Sequence, residues 1–191
     1  MIETITRLAA PSTFLAVPMV LLAAITLVLF FRGRGDRFGT LNDLFSAIAL
    51  LLLIPPVVAV YRVGGDDAGT WLLALTIATV AGLLVAAIGQ LLLILRAIDL
   101  SASFVTGGVG VLPVLIWVAA LAWLSLGRHL FPEALGWLGL TLLASAILVA
   151  VFSTLKIDAA TTAFSFVLVA ALLGWLVALG MAFATPPPGL L

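Results

Sequence analysis

The side chains able to do chemistry in this chain are few, and their placement narrows what that chemistry can be. Arg128, His129 and Glu133 stand close together and include the single histidine of the sequence. An imidazole beside a guanidinium and a carboxylate is the raw material of acid–base catalysis at a membrane surface, provided the three converge. Asp66 and Asp67 follow two glycines, and paired carboxylates attract a cation. Calcium asks for about six to eight oxygens, so two carboxylates alone favour a solvated loop. A third set, Asn42, Asp43, Gln90, Arg96 and Asp99, is polar and lies near the ends of long apolar stretches. Asn42 and Asp43 suit the start of a helix, where exposed N–H groups and the positive dipole end welcome a carboxylate. Gln90 fits an interhelical hydrogen bond worth roughly 0.6–2 kcal/mol. The alternative is that these five residues line a polar vestibule, which makes them the candidate ligand-binding set.

What is missing excludes more than what is present suggests. No Asp, Glu, Lys, Arg or His stands near the middle of an apolar stretch. Ion-coupled transporters, proton relays and charge-selective pores place an ionisable group there, so a proton- or sodium-driven pump is disfavoured. One histidine cannot supply paired haem ligands, and the absence of cysteine removes disulfides, thiolate metal sites and iron–sulfur clusters together. No motif for a catalytic nucleophile or a zinc site occurs, so no catalytic residue, metal or cofactor is expected. Eight basic residues balance eight acidic ones. Without a basic footprint, nucleic acid is not an expected partner.

The elements that position these residues follow from composition. Apolar side chains make up 65% of 191 residues and charged ones 8%, with a mean hydropathy of +1.41. A soluble domain carries about a quarter charged residues, so lipid rather than water is the main solvent. A hydrocarbon layer of about 30 Å needs around 20 apolar residues in a helix. Six stretches qualify: 13–31, 41–61, 71–95, 104–126, 134–155 and 162–184. The expected architecture is an all-α polytopic bundle of six transmembrane helices in a single domain. The first stretch exceeds a signal-peptide core and runs into Arg32, Arg34 and Arg37, which reads as a retained helix with a stop-transfer flank.

Alternate loops differ in charge. Arg32, Arg34, Arg37, Arg96 and Lys156 fall on one side, against Arg7, Arg62 and Arg128 on the other. The excess places the loop at 32–40 in the cytoplasm and both termini outside. Tyr61, Trp71, Trp117, Trp123, Trp137 and Trp175 then all fall toward the outer leaflet. Aromatic belts normally form at both interfaces, so either this bias is chance or Trp117 and Trp175 pack inside the bundle.

Lipid supplies no hydrophobic drive between helices, so close backbone approach must hold them together. Ala78, Gly82 and Ala86 form a small-residue stripe in the third span, and Ala170, Gly174, Ala178 and Ala182 form one in the sixth. Contact within one chain is the first reading and a homo-oligomer interface the second. Pro18, Pro55, Pro56 and Pro113 are expected to kink their spans. The pair at 55–56 is the strongest break; for the prolines and for the glycines at 107, 108 and 110 before Pro113, a role in shaping helix packing is the first reading and a discontinuous helix around a cavity the second.

The stretch 131–140, FPEALGWLGL, resembles a segment of bacterial multi-pass membrane proteins in which a loop proline precedes a Gly-Trp-Leu-Gly helix start. The resemblance covers about a tenth of the chain. It implies a small bacterial membrane protein of some six spans and carries over no functional residue. The leading functional expectation is a non-catalytic bundle of the inner membrane that works by binding, as an accessory subunit of a larger complex or as holder of a lipid or other apolar molecule. A facilitator for a neutral solute is the alternative, its path lined by Thr76, Thr79, Thr106, Thr141 or Ser145. A membrane enzyme built on Arg128, His129 and Glu133 comes third.

Overall fold

A backbone threaded through hydrocarbon must satisfy its own N–H and C=O groups, and a helix does so within one segment. In a computed structural model describing residues 6–185, apart from the side chains of 66–68, 100 and 104, the chain answers with helices throughout. They are α1 (Ala9–Phe31), α2 (Asp36–Leu52), α3 (Ile54–Ala68), α4 (Thr70–Ile94), α5 (Leu100–Leu126), α6 (Glu133–Thr154) and α7 (Asp158–Ala184). Among the described residues six helices are long and apolar enough to cross a membrane, α2 and the start of α3 together forming the second, Asp36–Gly65. The protein is therefore a multi-pass membrane protein with an all-helical fold.

The paired prolines act as expected. Residues 55 and 56 have no N–H to donate, and the second span is interrupted at Leu53, just before them. Pro18 and Pro113, by contrast, lie inside helices that continue past them. The discontinuous helix considered for residues 107–113 is not formed, because α5 runs unbroken through that region. Contact with α4 accounts for this. A Cβ on Gly110 would run into Gly82 and Ala86, and a Cβ on Gly82 into the Gly110 carbonyl. The glycines are used for backbone approach rather than for opening the helix.

Loops one, three and five close their helices by one device. Gly33, Arg96 and Lys156 each adopt positive φ, near 72°, 57° and 58°. In each case that residue's N–H and the next one return to carbonyls of the last helical turn: Gly33 to Phe30 and Arg34 to Leu29, Arg96 to Leu93 and Ala97 to Leu92, Lys156 to Ser153 and Ile157 to Phe152. This is a Schellman closure, which satisfies carbonyls that lipid would leave bare. Two of the three carry a cation at the left-handed position, beside the negative end of the helix dipole.

Each span packs against its neighbours in sequence, and α7 returns onto α1, so the six form a closed ring. The Gly180 position seats the Phe14 ring, which holds that closure. The axis of the ring is filled. Trp117 and Trp175 are 1% and 2% exposed and meet edge to face, with centroids 5.6 Å apart. Val57, Leu83, Leu121, Leu135 and Leu176 belong to the same apolar cluster. The burial is uneven along the axis. The buried residues of α6 stop at Ser145 and those of α7 begin at Ala171. Toward loop five these two helices mainly hold each other, through stacked Phe152 and Phe164 with centroids 5.4 Å apart.

Candidate functional site

Asn42 and Asp43 lie inside α2 rather than at its start, which Asp36 occupies, so they do not cap it. Asn42 Nδ2 donates to the Asp43 carboxylate at 3.1 Å. Asp99 caps α5: its carboxylate accepts the Ala102 N–H and the Ser101 hydroxyl, each at 2.8 Å. Those two bonds hold its carboxyl below the ordinary value. Gln90 is half-buried near the end of α4, and Arg96 is exposed in the turn that follows. Among the described residues no hydrogen bond links Asn42 or Asp43 to Gln90, Arg96 or Asp99. The set lies at one end of the bundle as separate local structures.

The small-residue stripes are only partly turned inward. Gly82 and Ala86 are buried, whereas Ala78 is exposed. In the sixth span Ala170 is exposed, Gly174 and Ala178 are half-buried, and Ala182 is buried. The reason is geometric: four-residue steps overshoot a helical turn of 3.6 residues and drift around the helix. The buried face of α4 mixes steps of three and four instead, through Thr76, Thr79, Gly82, Ala86 and Gly89. On that face the Thr79 hydroxyl lies 2.7 Å from the Leu75 carbonyl oxygen and 3.2 Å from that of Pro113, tying α4 to α5.

Hydroxyls considered as the wall of a solute path are occupied or sealed. Thr106 bonds the Ala102 and Ser103 carbonyls and Thr141 the Trp137 carbonyl, all within their own helices. The Thr76 hydroxyl and the indole N–H groups of Trp117 and Trp175 are buried without a protein partner. At the opposite loop, His129 Nδ1 approaches Glu133 Oε1 to 3.6 Å, with both side chains about two-thirds exposed. That contact is too open to enclose a reaction. The side chains of Asp66 and Asp67 lie outside the described residues.

A shallow, open groove of about 530 Å³ lies between α4 and α5, lined by Trp71, Leu75, Ile116, Ala119, Ala120 and Trp123. Trp71 and Trp123 wall its loop end, edge to face with centroids 5.9 Å apart, and each is more than two-fifths exposed. Ala119 and Ala120 leave the depth between the larger side chains. The Arg128 guanidinium carbon stands 5.1 Å from the Trp123 ring centre, a cation–π contact at the groove mouth. Sequence reasoning placed both tryptophans at an interface without pairing them. The available signal was the Ala-Ala gap between Ile116 and Trp123 on a helix followed at once by Arg128.

No family model, curated protein or solved structure matches the chain.

Proposed function

We propose that the protein is a non-catalytic membrane-embedded binding protein of a bacterial inner membrane, holding an apolar molecule at its lipid-facing surface, alone or within a larger assembly. The observation that carries this reading is the filled axis, where Trp117 and Trp175 meet at 5.6 Å between the fourth and sixth spans. A facilitator needs a polar path to the midplane, and the hydroxyls nearest to one are turned onto their own helices. Apolar concavity lies on the flank instead, in the groove between α4 and α5. The charge asymmetry of the loops supports a cytoplasmic position for residues 32–40 and outward-facing termini. Exposed apolar stripes, such as Val105, Val109 and Leu112 on α5, are available to lipid or to a second membrane protein.

Reconstituted vesicles test the reading. Swelling or shrinking in gradients of glycerol, urea and small sugars should proceed at the rate of protein-free vesicles. Native mass spectrometry of gently extracted protein should show retained lipid or a stable partner. Protein-dependent solute flux would overturn the proposal.

A further inference from the structure

The groove between α4 and α5 carries a guanidinium at its mouth, and that charge selects among lipids. Its floor and walls are apolar, from Leu75 and Ile116 in the bilayer to Trp71 and Trp123 at its loop end. Tryptophan at this level marks the headgroup region, because its ring is apolar and its N–H seeks a partner. Arg128 is exposed and held over the Trp123 ring at 5.1 Å, so its position is set by the same side chain that walls the groove. The neighbouring carboxylate, Glu133, faces His129 at 3.6 Å, and among the described residues no carboxylate pairs with Arg128. A guanidinium set over a tryptophan at the mouth of an apolar groove complements a phosphate joined to an acyl chain.

We propose that this groove is a binding site for an anionic phospholipid, with one acyl chain along Ala119 and Ala120 and the headgroup phosphate on Arg128. The site lies in the leaflet facing loops two and four. The proposal deepens the binding reading above by naming the class of molecule held, yet it is read separately from solute flux. Both tryptophans serve in it: Trp71 and Trp123 flank the chain, and Trp123 also orients the cation. A neutral lipid fills the same apolar channel but gains nothing at Arg128. Near a membrane surface the attraction of one cation for an anionic lipid corresponds to about a fivefold preference.

Intrinsic fluorescence in bilayers of phosphatidylcholine provides the test. Bromine on an acyl chain quenches tryptophan by contact; Trp117 and Trp175 are shielded by burial, and a Trp137→Phe background removes the exposed tryptophan of α6, so Trp71 and Trp123 report alone. At equal mole fraction, brominated phosphatidylglycerol should quench more strongly than brominated phosphatidylcholine, with a relative association of about fivefold. Arg128→Gln should reduce that ratio to near one, whereas Arg62→Gln, on α3 at the same end of the bundle, should leave it unchanged. Ala119→Phe should weaken quenching by both lipids, since it fills the channel. Equal quenching by the two lipids in the unaltered protein overturns the proposal with no variant needed. An unchanged ratio in Arg128→Gln, with the far-ultraviolet dichroism of the native fold retained, overturns the role of Arg128. Either failure leaves the flux result, and with it the non-conducting reading, standing on its own measurement.

Discussion

At the scale of single residues, two side chains show how polar groups are managed at the two depths of this protein. Asp99 works in water: its carboxylate caps α5 through the Ala102 N–H and the Ser101 hydroxyl, and its carboxyl is held low. A depressed carboxyl stabilises the fold at pH values above the unfolded value of 3.8 and loses that contribution as pH falls through the folded one. Asp99→Ala should therefore lower the unfolding temperature in detergent near neutral pH, and the two melting curves should converge well below pH 3.8. A gap that persists in acid would assign the loss to something other than the charged cap. Trp117 works in the buried interior, where its N–H has no protein partner. An unpaired buried donor costs about 1–3 kcal/mol, so Trp117→Phe, which removes the donor and keeps most of the ring, should be close to neutral. Trp117→Ala should destabilise strongly, though by less than the roughly 3–5 kcal/mol of a soluble core, because lipid is itself apolar. Thermal unfolding of both variants in one detergent gives the comparison. The asymmetry of the tryptophans was legible as a bias to one side of the sequence. That Trp117 and Trp175 leave the interface for the axis was one of two readings the bias allowed, and the fold decides for it because burial depends on which neighbours face them.

At the scale of elements, the helices were legible and their faces were less so. Continuous apolar runs mark the spans because lipid demands them, and the observed helices differ from the expected stretches mainly by starting earlier. Asp36, Glu133 and Asp158 are counted inside their helices, where an acid in the first turn meets the positive dipole end. Which residues face inward was harder to read. A stripe of equal four-residue steps looks regular in sequence but rotates away from a neighbour, so Gly82 is buried while Ala78 is exposed. The backbones of α4 and α5 approach most closely at Gly82 and Gly110. Gly82→Leu or Gly110→Leu should force them apart and cost about 1–3 kcal/mol, as overpacking does, whereas Ala78→Leu should be nearly silent. Equal losses at positions 78 and 82 in a denaturant or thermal series would mean that the inward face of α4 is misassigned. Likewise, glycines before Pro113 allowed a broken helix, and contact with α4 turned them into a crossing point. Local freedom in the backbone does not reveal whether a neighbour will use it.

At the scale of the whole molecule, three features work together: six crossings, a ring closed by α7 on α1, and an axis filled by aromatic and aliphatic side chains. Filling the axis directs function to the surface, toward lipid or toward another membrane protein. The groove beside Arg128 joins an apolar hollow in that surface to a charge. It escaped sequence reasoning because its residues come from two helices whose pairing only the fold provides. The vestibule set was assembled from residues that share an end of the bundle, and Asn42, Asp43 and Asp99 bond within their own segments. The ring, its filled axis and the leaflet of the groove all depend on the chain crossing the bilayer six times with alternate loops on opposite faces. The chain lacks cysteine, so single cysteines at 34, 62, 96, 129 and 156 can be labelled in sealed vesicles with a membrane-impermeant maleimide. Positions 34, 96 and 156 should react from one side and 62 and 129 only from the other; labelling of 34 and 62 from the same side would contradict the account.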